Sequence, residues 1–477
     1  MTLVPIVDPS DLVAVSAAVG RPSTARELTT PSLRPVGLRH VVIGPDALDE
    51  LAPLIARLAR PGPIGVVMDR VEMKRGTTSL KQVVLGRLSA IRETRPIWVG
   101  PPAGPVHADA ETIATARAQV DGLGAIVSVG SGTICDIGKE LARPAGIPNI
   151  VVQTACSVNA FADDMAVLLI NGVKRTVPSR WPEALIVDLT VIADAPRRMN
   201  QAGIGELAAM FTAPADWRLA AAVGMDDTYD ERVVRLFRDA APMLGDAARA
   251  FEGRDPAAYR PMCELMTLTG LALGIAGRTA PMSGTEHTVS HLLDMAAVQR
   301  HTVADLHGAQ VGVASLAVAV AWRLLLDDID PNALLAGGAT DPDLMRRRIE
   351  AAFGRLDPSG AMATECWKAY EVKLARWTAR PEAVRAFVAG WDQTRRDLEA
   401  LLGQPADIAA ALRRAGAPAT FGELDPAVDR DTAAWALLNG HLMRDRFTMA
   451  DLAWFAGLWS EERVLAAIDA AAALAAS

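Results

Sequence analysis

Histidine and cysteine are both scarce in this chain of 477 residues, which has seven of the first and four of the second. Cys135, Cys156, Cys263 and Cys366 show neither CxxC spacing nor a framework pattern. That argues against a disulfide scaffold and fits scattered free thiols in a reducing cytosol, so a cytoplasmic location is expected. An excess of positive charge is missing as well. The formal net charge is −8, which argues against nucleic acid or an anionic membrane as the main partner and leaves room for a local basic pocket that takes a phosphate. The longest apolar run, residues 311–322, is too short to span a bilayer and reads as a buried helix, so no membrane insertion is expected. Asp8 and Asp11 interrupt the N-terminus before a signal-peptide core could form. Low-complexity tracts and fixed-period repeats are absent apart from an alanine-rich final helix.

What is present is a soluble globular composition, 51% hydrophobic and 22% charged. The length exceeds what one hydrophobic core usually organises, so two domains are expected. Residues 1–36 carry proline and little periodicity and read as an arm. From there apolar strands without in/out alternation (40–44, 63–69, 96–100, 125–129 and 149–153) alternate with helical patterns at 46–58, 79–92, 108–123 and from 134. This is the signature of a parallel sheet covered on both faces, a Rossmann-like doubly wound α/β domain over 37–192. Beyond 193–196 the pattern is helical (202–219, 230–251, 259–277, 285–298, 312–325 and more). An all-α domain over 193–477 is expected.

Four of the seven histidines fall in SGTEHTVSHLLDMAAVQRHTVADLHG, residues 283–308. His287 and His291 are i and i+4, so on a helix both rings leave one face. His307 follows after room for one helix reversal. Imidazole is the commonest transition-metal ligand, and donors converging from separate segments build an open catalytic site; polar residues of an ordinary helix pair are the alternative. Glu206 opens an apolar helix just after Gly203 and Gly205, where a carboxylate must stay at the solvent edge or be paired. As a third ligand beside His287 and His307 it would leave an open coordination position.

VSVGSGTICDIGK, residues 127–139, puts glycines between a strand and a helix, which presents backbone N–H groups to an anion such as a pyrophosphate. Gly130 and Gly132 allow close approach, and Asp136 could reach a ribose or nicotinamide. The GxGxxG pattern is incomplete, because Cys135 takes the last glycine position. Thr154, Ser157, Asn159 and Asp163 follow the last of these strands, where an α/β cleft usually opens between the two domains. Lys174 and Arg175 could neutralise a phosphate or simply be solvated.

Together these segments resemble the glycerol-1-phosphate dehydrogenase branch of the iron-containing alcohol dehydrogenase and dehydroquinate synthase-like superfamily. GSGTICDIGK is similar to GSGTxxDxxK, QTACSVNAF to PTAPSMDGY, and NGVKRT to GxKxT. AGIGELAAMFTAPADW resembles AGFGDxxxKxTAxADW, SGTEHTVSH resembles SGSEHxxSH, LHGAQVGV resembles LHGExVGV, and MRDRFTMADLAWFAGLW resembles RxRYTxLDLAxxLGL. The resemblance runs collinearly over residues 37–460. It implies that Gly132, Thr133, Ile134, Cys135 and Asp136 cradle NAD or NADP, with Thr154, Ala155, Cys156, Ser157 and Asp163 continuing that site. It also implies that Glu206, His287 and His307 hold one divalent metal, with His291 and Asn159 contacting substrate. Three positions depart from the family: its metal-binding aspartate is Glu206, its substrate-loop aspartate is Asn159, and a lysine one turn after the metal acid is Met210.

The reading is a metal-dependent NAD(P) oxidoreductase acting on a small ketone or polyol, phosphorylated or free, with Zn²⁺, Ni²⁺ or Fe(II) as the metal and a homo-oligomer as the expected state. The resemblance gives reduction of dihydroxyacetone phosphate to sn-glycerol 1-phosphate as the reference reaction, and His291, Asn159 and Lys174 are the candidate catalytic residues. Two alternatives stay open. One is a dehydroquinate synthase-like cyclase or lyase that uses NAD transiently. The other is a metal- and cofactor-binding homologue with weakened catalysis.

Overall fold

Six parallel strands form the heart of the structure, a computed structural model that describes Val4–Pro5, Arg34 and residues 36–477 except 103, 105, 171, 172, 239, 254 and 337–340. Most of the expected arm at 1–36 therefore lies outside the described residues. The strands in chain order are β1 (Val4–Pro5), β2 (His40–Gly44), β3 (Ile64–Met68), the small hairpin β4 (Lys74–Arg75) and β5 (Thr78–Ser79), β6 (Thr94–Trp98), β7 (Ala125–Gly130), β8 (Asn149–Gln153), the hairpin β9 (Met165–Ile170) and β10 (Val173–Pro178), and β11 (Ala184–Asp188). The main sheet runs β1-β2-β11-β8-β7-β3-β6, all parallel except β1.

β11 was not anticipated. ALIVD is fully buried and fits between β2 and β8, so the parallel run extends one strand beyond Gln153. The sheet is covered on both faces. Leu51, Leu54, Ile55, Val84 and Leu88 pack on one side, and Ile113, Ile134, Ile137 and Leu141 on the other. From β3 the chain leads outward to β6, and from β7 it leads the opposite way to β8. The crevice at the carboxyl ends of β3 and β7 is thus the switch point at which ligands bind in such sheets, and the glycine turn after β7 sits there.

The chain divides into two units, Met1–Gly203 with Glu231–Arg278, and Ile204–Asp230 with Thr279–Ser477. The hydropathy pattern alone placed the change near 193 and gave all later helices to one domain. The helix Arg260–Ala276 instead belongs with the sheet, because its glycines allow close contact there. A Cβ on Gly270 would lie 2.4 Å from the Asn159 carbonyl, and one on Gly274 would lie 2.2 Å from the Trp181 ring.

The second unit is helical among its described residues. The helix expected over 202–219 is broken by a 3₁₀ turn at Ala209–Phe211, leaving Arg197–Ala208 and Ala213–Ala222. Pro214 explains the break: it fits the first turn of a helix, but it has no N–H to continue the preceding one. The central helix, His307–Asp328, starts earlier than the pattern suggested and has 22 residues. With mean hydropathy 1.7 it could cross a bilayer by length and composition, yet 89% of its apolar window is buried within the protein. It is a core helix.

Candidate functional site

Glu206 lies near the end of the helix Arg197–Ala208, His287 in the first turn of Thr285–Gln299, and His307 opens His307–Asp328. The convergence depends on glycine. A Cβ on Gly205 would lie 2.1 Å from the Gly308 carbonyl oxygen, and one on Gly312 would lie 2.6 Å from Gly205 Cα. Only bare backbone allows these helices to cross so closely, and that crossing carries the neighbouring Glu206 to His307.

One donor atom from each of Glu206, His287 and His307 lies within 4.8 Å of the others. His287 Nε2 is 3.6 Å from Glu206 Oε1, and His307 Nε2 is 3.9 Å from Oε2. Ligands about 2.0–2.2 Å from a tetrahedral ion stand about 3.4 Å apart, so the trio is close to a coordinating geometry. Glu206 is 3% exposed, and its Oε2 has no hydrogen-bond partner. An unpaired buried carboxylate oxygen is costly, and a cation between the three donors would remove that cost. The residues fit a divalent metal.

The electrostatics point the same way. Burial pushes the Glu206 carboxyl up, but the two imidazoles beside it, His287 foremost, outweigh that and leave the group below its usual range. For His287, burial favours the neutral ring, yet Glu206 and Glu286 raise it to about 9. Glu286 is a functional residue that sequence reasoning missed. Fully buried, it accepts from Gly284 N at 2.5 Å and Thr212 Oγ1 at 2.8 Å, and it faces His287 Nδ1 at 2.9 Å. A carboxylate can only accept, so His287 keeps a hydrogen on Nδ1, and Nε2, on the side of Glu206, is the nitrogen that would give its lone pair to a cation. In sequence Glu286 is simply a first-turn acid, which has a bland dipole role. Asp216 holds the start of the same helix, accepting from Thr285 N, Thr285 Oγ1 and Met449 N at 2.7–2.8 Å.

His291 stands beside the trio, its ring centroid 5.4 Å from His307 and 6.5 Å from His287. His301 lies exposed with a left-handed φ of 54°.

The glycine turn is in the other unit. A Cβ on Gly130 would strike the Ile134 side chain at 2.5 Å, and one on Gly132 would come within 3.0 Å of Val158. Ser131 caps the helix Gly132–Ala145 without a side-chain bond, so no side chain competes with an anion for the first-turn amides. Ile134, Cys135, Ala155 and Cys156 are buried, and the amides of Ile134 and Cys135 already donate to the Ser131 carbonyl at 3.1 Å. Burial pushes the Cys135 thiol up to about 12. Thr154 and Ser157 are 6% and 7% exposed, and the Asn200 side chain accepts from Cys156 N at 2.9 Å, pinning that loop.

Asp136 and Asp163 face inward. Lys139 Nζ, also buried, reaches Asp163 Oδ1 at 2.6 Å, the carbonyls of Ala160 and Met165 at 2.6 and 2.7 Å, and Asp136 Oδ1 at 3.9 Å. Asp136 also accepts from Val167 N at 3.1 Å, and burial pushes it up to about 7. These side chains tie the β9–β10 hairpin to the glycine-loop helix. Asn159 is buried and makes no side-chain cap to the turn it opens. Lys174 lies on β10, but its side chain is outside the described residues.

A family model described as iron-containing alcohol dehydrogenase matches residues 42–196. Glycerol-1-phosphate dehydrogenase (NAD(P)+) of Bacillus velezensis is 28% identical over 418 residues, spanning 87% of this chain and 91% of the relative. The protein of the same name from Aeropyrum pernix is 30% identical over 288 residues, 59% of this chain and 77% of the relative. The chain belongs to the glycerol-1-phosphate dehydrogenase branch of the iron-containing alcohol dehydrogenase family. As a member it is an enzyme, an oxidoreductase. The fold agrees: a probable glycerol dehydrogenase from Sinorhizobium meliloti 1021 superposes with a TM-score of 0.56 at 18% identity, covering 91% of this chain and 97% of that one. Of the departures from the family motifs, Met210 is buried in the 3₁₀ turn after Glu206. No positive charge can come from that position.

Proposed function

We propose that this enzyme reduces a small ketone with NADH or NADPH, holding one divalent cation on Glu206, His287 and His307, and that dihydroxyacetone phosphate is its first candidate substrate. The observation that carries this reading is the buried Glu206 carboxylate facing two imidazoles, one of its oxygens without a hydrogen-bond partner, in a member of this family. Relatives named glycerol-1-phosphate dehydrogenase (NAD(P)+) support the substrate and cofactor class. Bound cation and dinucleotide supply Lewis-acid polarisation of a carbonyl oxygen and a hydride, respectively.

The chain's own groups do the rest. The amides at Gly132 and Thr133 bind the pyrophosphate, with Gly130 keeping the turn narrow. Thr154 and Ser157 supply hydroxyls on the neighbouring loop. His291 orients the substrate and holds the proton exchanged with its oxygen, a task that suits an imidazole near neutral pH. Asn159 can donate and accept a hydrogen bond but cannot move a proton, so proton transfer falls to His291. Lys174 serves as counter-charge for a phosphate. A nitrogen–nitrogen–oxygen donor set suits Zn²⁺ first and Ni²⁺ or Fe(II) next. Four buried free cysteines suit a reducing cytoplasm, and a homo-oligomer is the proposed state.

The test is a panel of phosphorylated and free ketones assayed with NADH and NADPH, adding Zn²⁺, Ni²⁺ or Fe(II) to metal-stripped protein. Metal-dependent oxidation of the nicotinamide by dihydroxyacetone phosphate supports the proposal. Full turnover after exhaustive chelation, or none with any ketone, overturns it.

A further inference from the structure

His307 is supported quite differently from His287. Its Nδ1 lies 2.8 Å from Ser290 Oγ, and that oxygen is 2.8 Å from Gln310 Oε1. Gln310 Nε2 in turn reaches Asp294 Oδ1 at 3.2 Å and the Asp305 carbonyl at 3.1 Å. Ser290 is fully buried and Gln310 is 1% exposed, so water does not substitute for these bonds.

Bond polarity decides the arrangement. A carboxylate and a carbonyl only accept, so the Gln310 amide must turn its NH₂ toward Asp294 and Asp305 and its oxygen toward Ser290. An amide oxygen also only accepts, so the Ser290 hydroxyl donates its single hydrogen to Gln310. The Ser290 oxygen is then left to accept from His307. The His307 hydrogen is therefore on Nδ1, and the lone pair is on Nε2, 3.9 Å from Glu206 Oε2.

We infer that Ser290 and Gln310 are positioning residues which, through this one-way relay, hold His307 in the tautomer that presents Nε2 to the metal. The inference rests on the metal reading above. It adds a second, uncharged support to the carboxylate that serves His287, and it gives a role to two buried polar residues outside the ligand set.

The experiment measures zinc affinity of metal-stripped protein by competition with a chromophoric chelator, for wild type, Ser290→Ala, Gln310→Met and the double variant. Gln310→Met keeps the length of the side chain but frees Ser290 to donate to Nδ1, which drives the ring proton onto Nε2. Each single change is expected to weaken zinc binding roughly 10–100-fold. The double variant should be no weaker than the worse single, because both cut the same chain. The visible absorption of the cobalt(II)-loaded protein should shift in Gln310→Met, a signature that simple loss of packing would not produce. Wild-type affinity in Gln310→Met, or losses that multiply in the double variant, would overturn the inference. Should Ser290→Ala not fold, Gln310→Met decides alone. Wild-type protein that binds no divalent metal would defeat the metal reading itself, a distinct result.

Discussion

A single methyl added at Gly205 puts a carbon 2.1 Å from the Gly308 carbonyl oxygen and 3.1 Å from Gly312 Cα. Carbon and carbonyl oxygen settle no closer than about 3.3 Å, so the helices bearing Glu206 and His307 must part by about 1 Å. Two effects oppose each other. Alanine for glycine inside a helix contributes roughly 0.8–1 kcal/mol, whereas overpacking costs about 1–3 kcal/mol and sometimes more. The clash is with backbone, which has no rotamer to escape into, so the loss wins. At about 2–4 °C per kcal/mol for a unit of this size, Gly205→Ala should lower the melting temperature of the metal-free protein by several degrees.

The effect on metal should be larger than the effect on stability. Ligand distances tolerate only about ±0.2 Å, and Glu206 is the next residue along the chain. A displacement near 1 Å should weaken zinc binding on the order of 100-fold, comparable to loss of a supporting contact. The assay pairs thermal unfolding with chelator competition. Gly86→Ala is the control, since a Cβ there meets nothing within 4 Å and should be neutral or slightly stabilising. Gly205→Ala protein that melts and binds zinc like wild type would refute both the close crossing and its role.

Other consequences are equally open to measurement. His287→Ala and His307→Ala should each abolish metal content and turnover while NAD(P) binding, followed by fluorescence, stays near wild type; stoichiometric metal in either would remove that residue from the ligand set. Lys139→Met leaves Asp163 and Asp136 buried without their cation, so urea denaturation should show a loss of about 3–5 kcal/mol, and an unchanged midpoint would contradict the buried pairing. His441 is buried against Asp451 at 2.9 Å, and burial lowers its pKa to about 4, outweighing Asp451. Its unfolded form takes a proton below about 6.5 while the folded form does not, so stability should fall as pH drops from about 6.5 to 4, by roughly 3 kcal/mol in all. His441→Gln should flatten that part of the pH–stability curve, and an identical curve would rule out His441 as its source.

How far the structure could be read in advance depended on whether a feature is local. Strands such as HVVIG and NIVVQ were legible because a strand buried on both faces must be apolar throughout. ALIVD has the same texture, but it comes after the polar turns of 154–164 and the β9–β10 hairpin, where the alternation of strands with helices breaks down. The helix Arg260–Ala276 looked like its neighbours because periodicity reports that a face is buried, not which surface buries it; the deciding contacts, at Gly270 and Gly274, come from residues far away in sequence. The site shows the same limit more sharply. Histidine spacing within 283–308 indicated donors on one face, while Glu206 stands about eighty residues upstream and depends on two glycines for its approach. Glu286, Ser290 and Gln310 are ordinary helix residues in sequence. Their importance lies in which atom donates to which, and hydrogen-bond polarity exists only once the helices are packed. A ligand set can thus be proposed from residue types alone, but the tautomers that make two of its members ligands are a property of the fold.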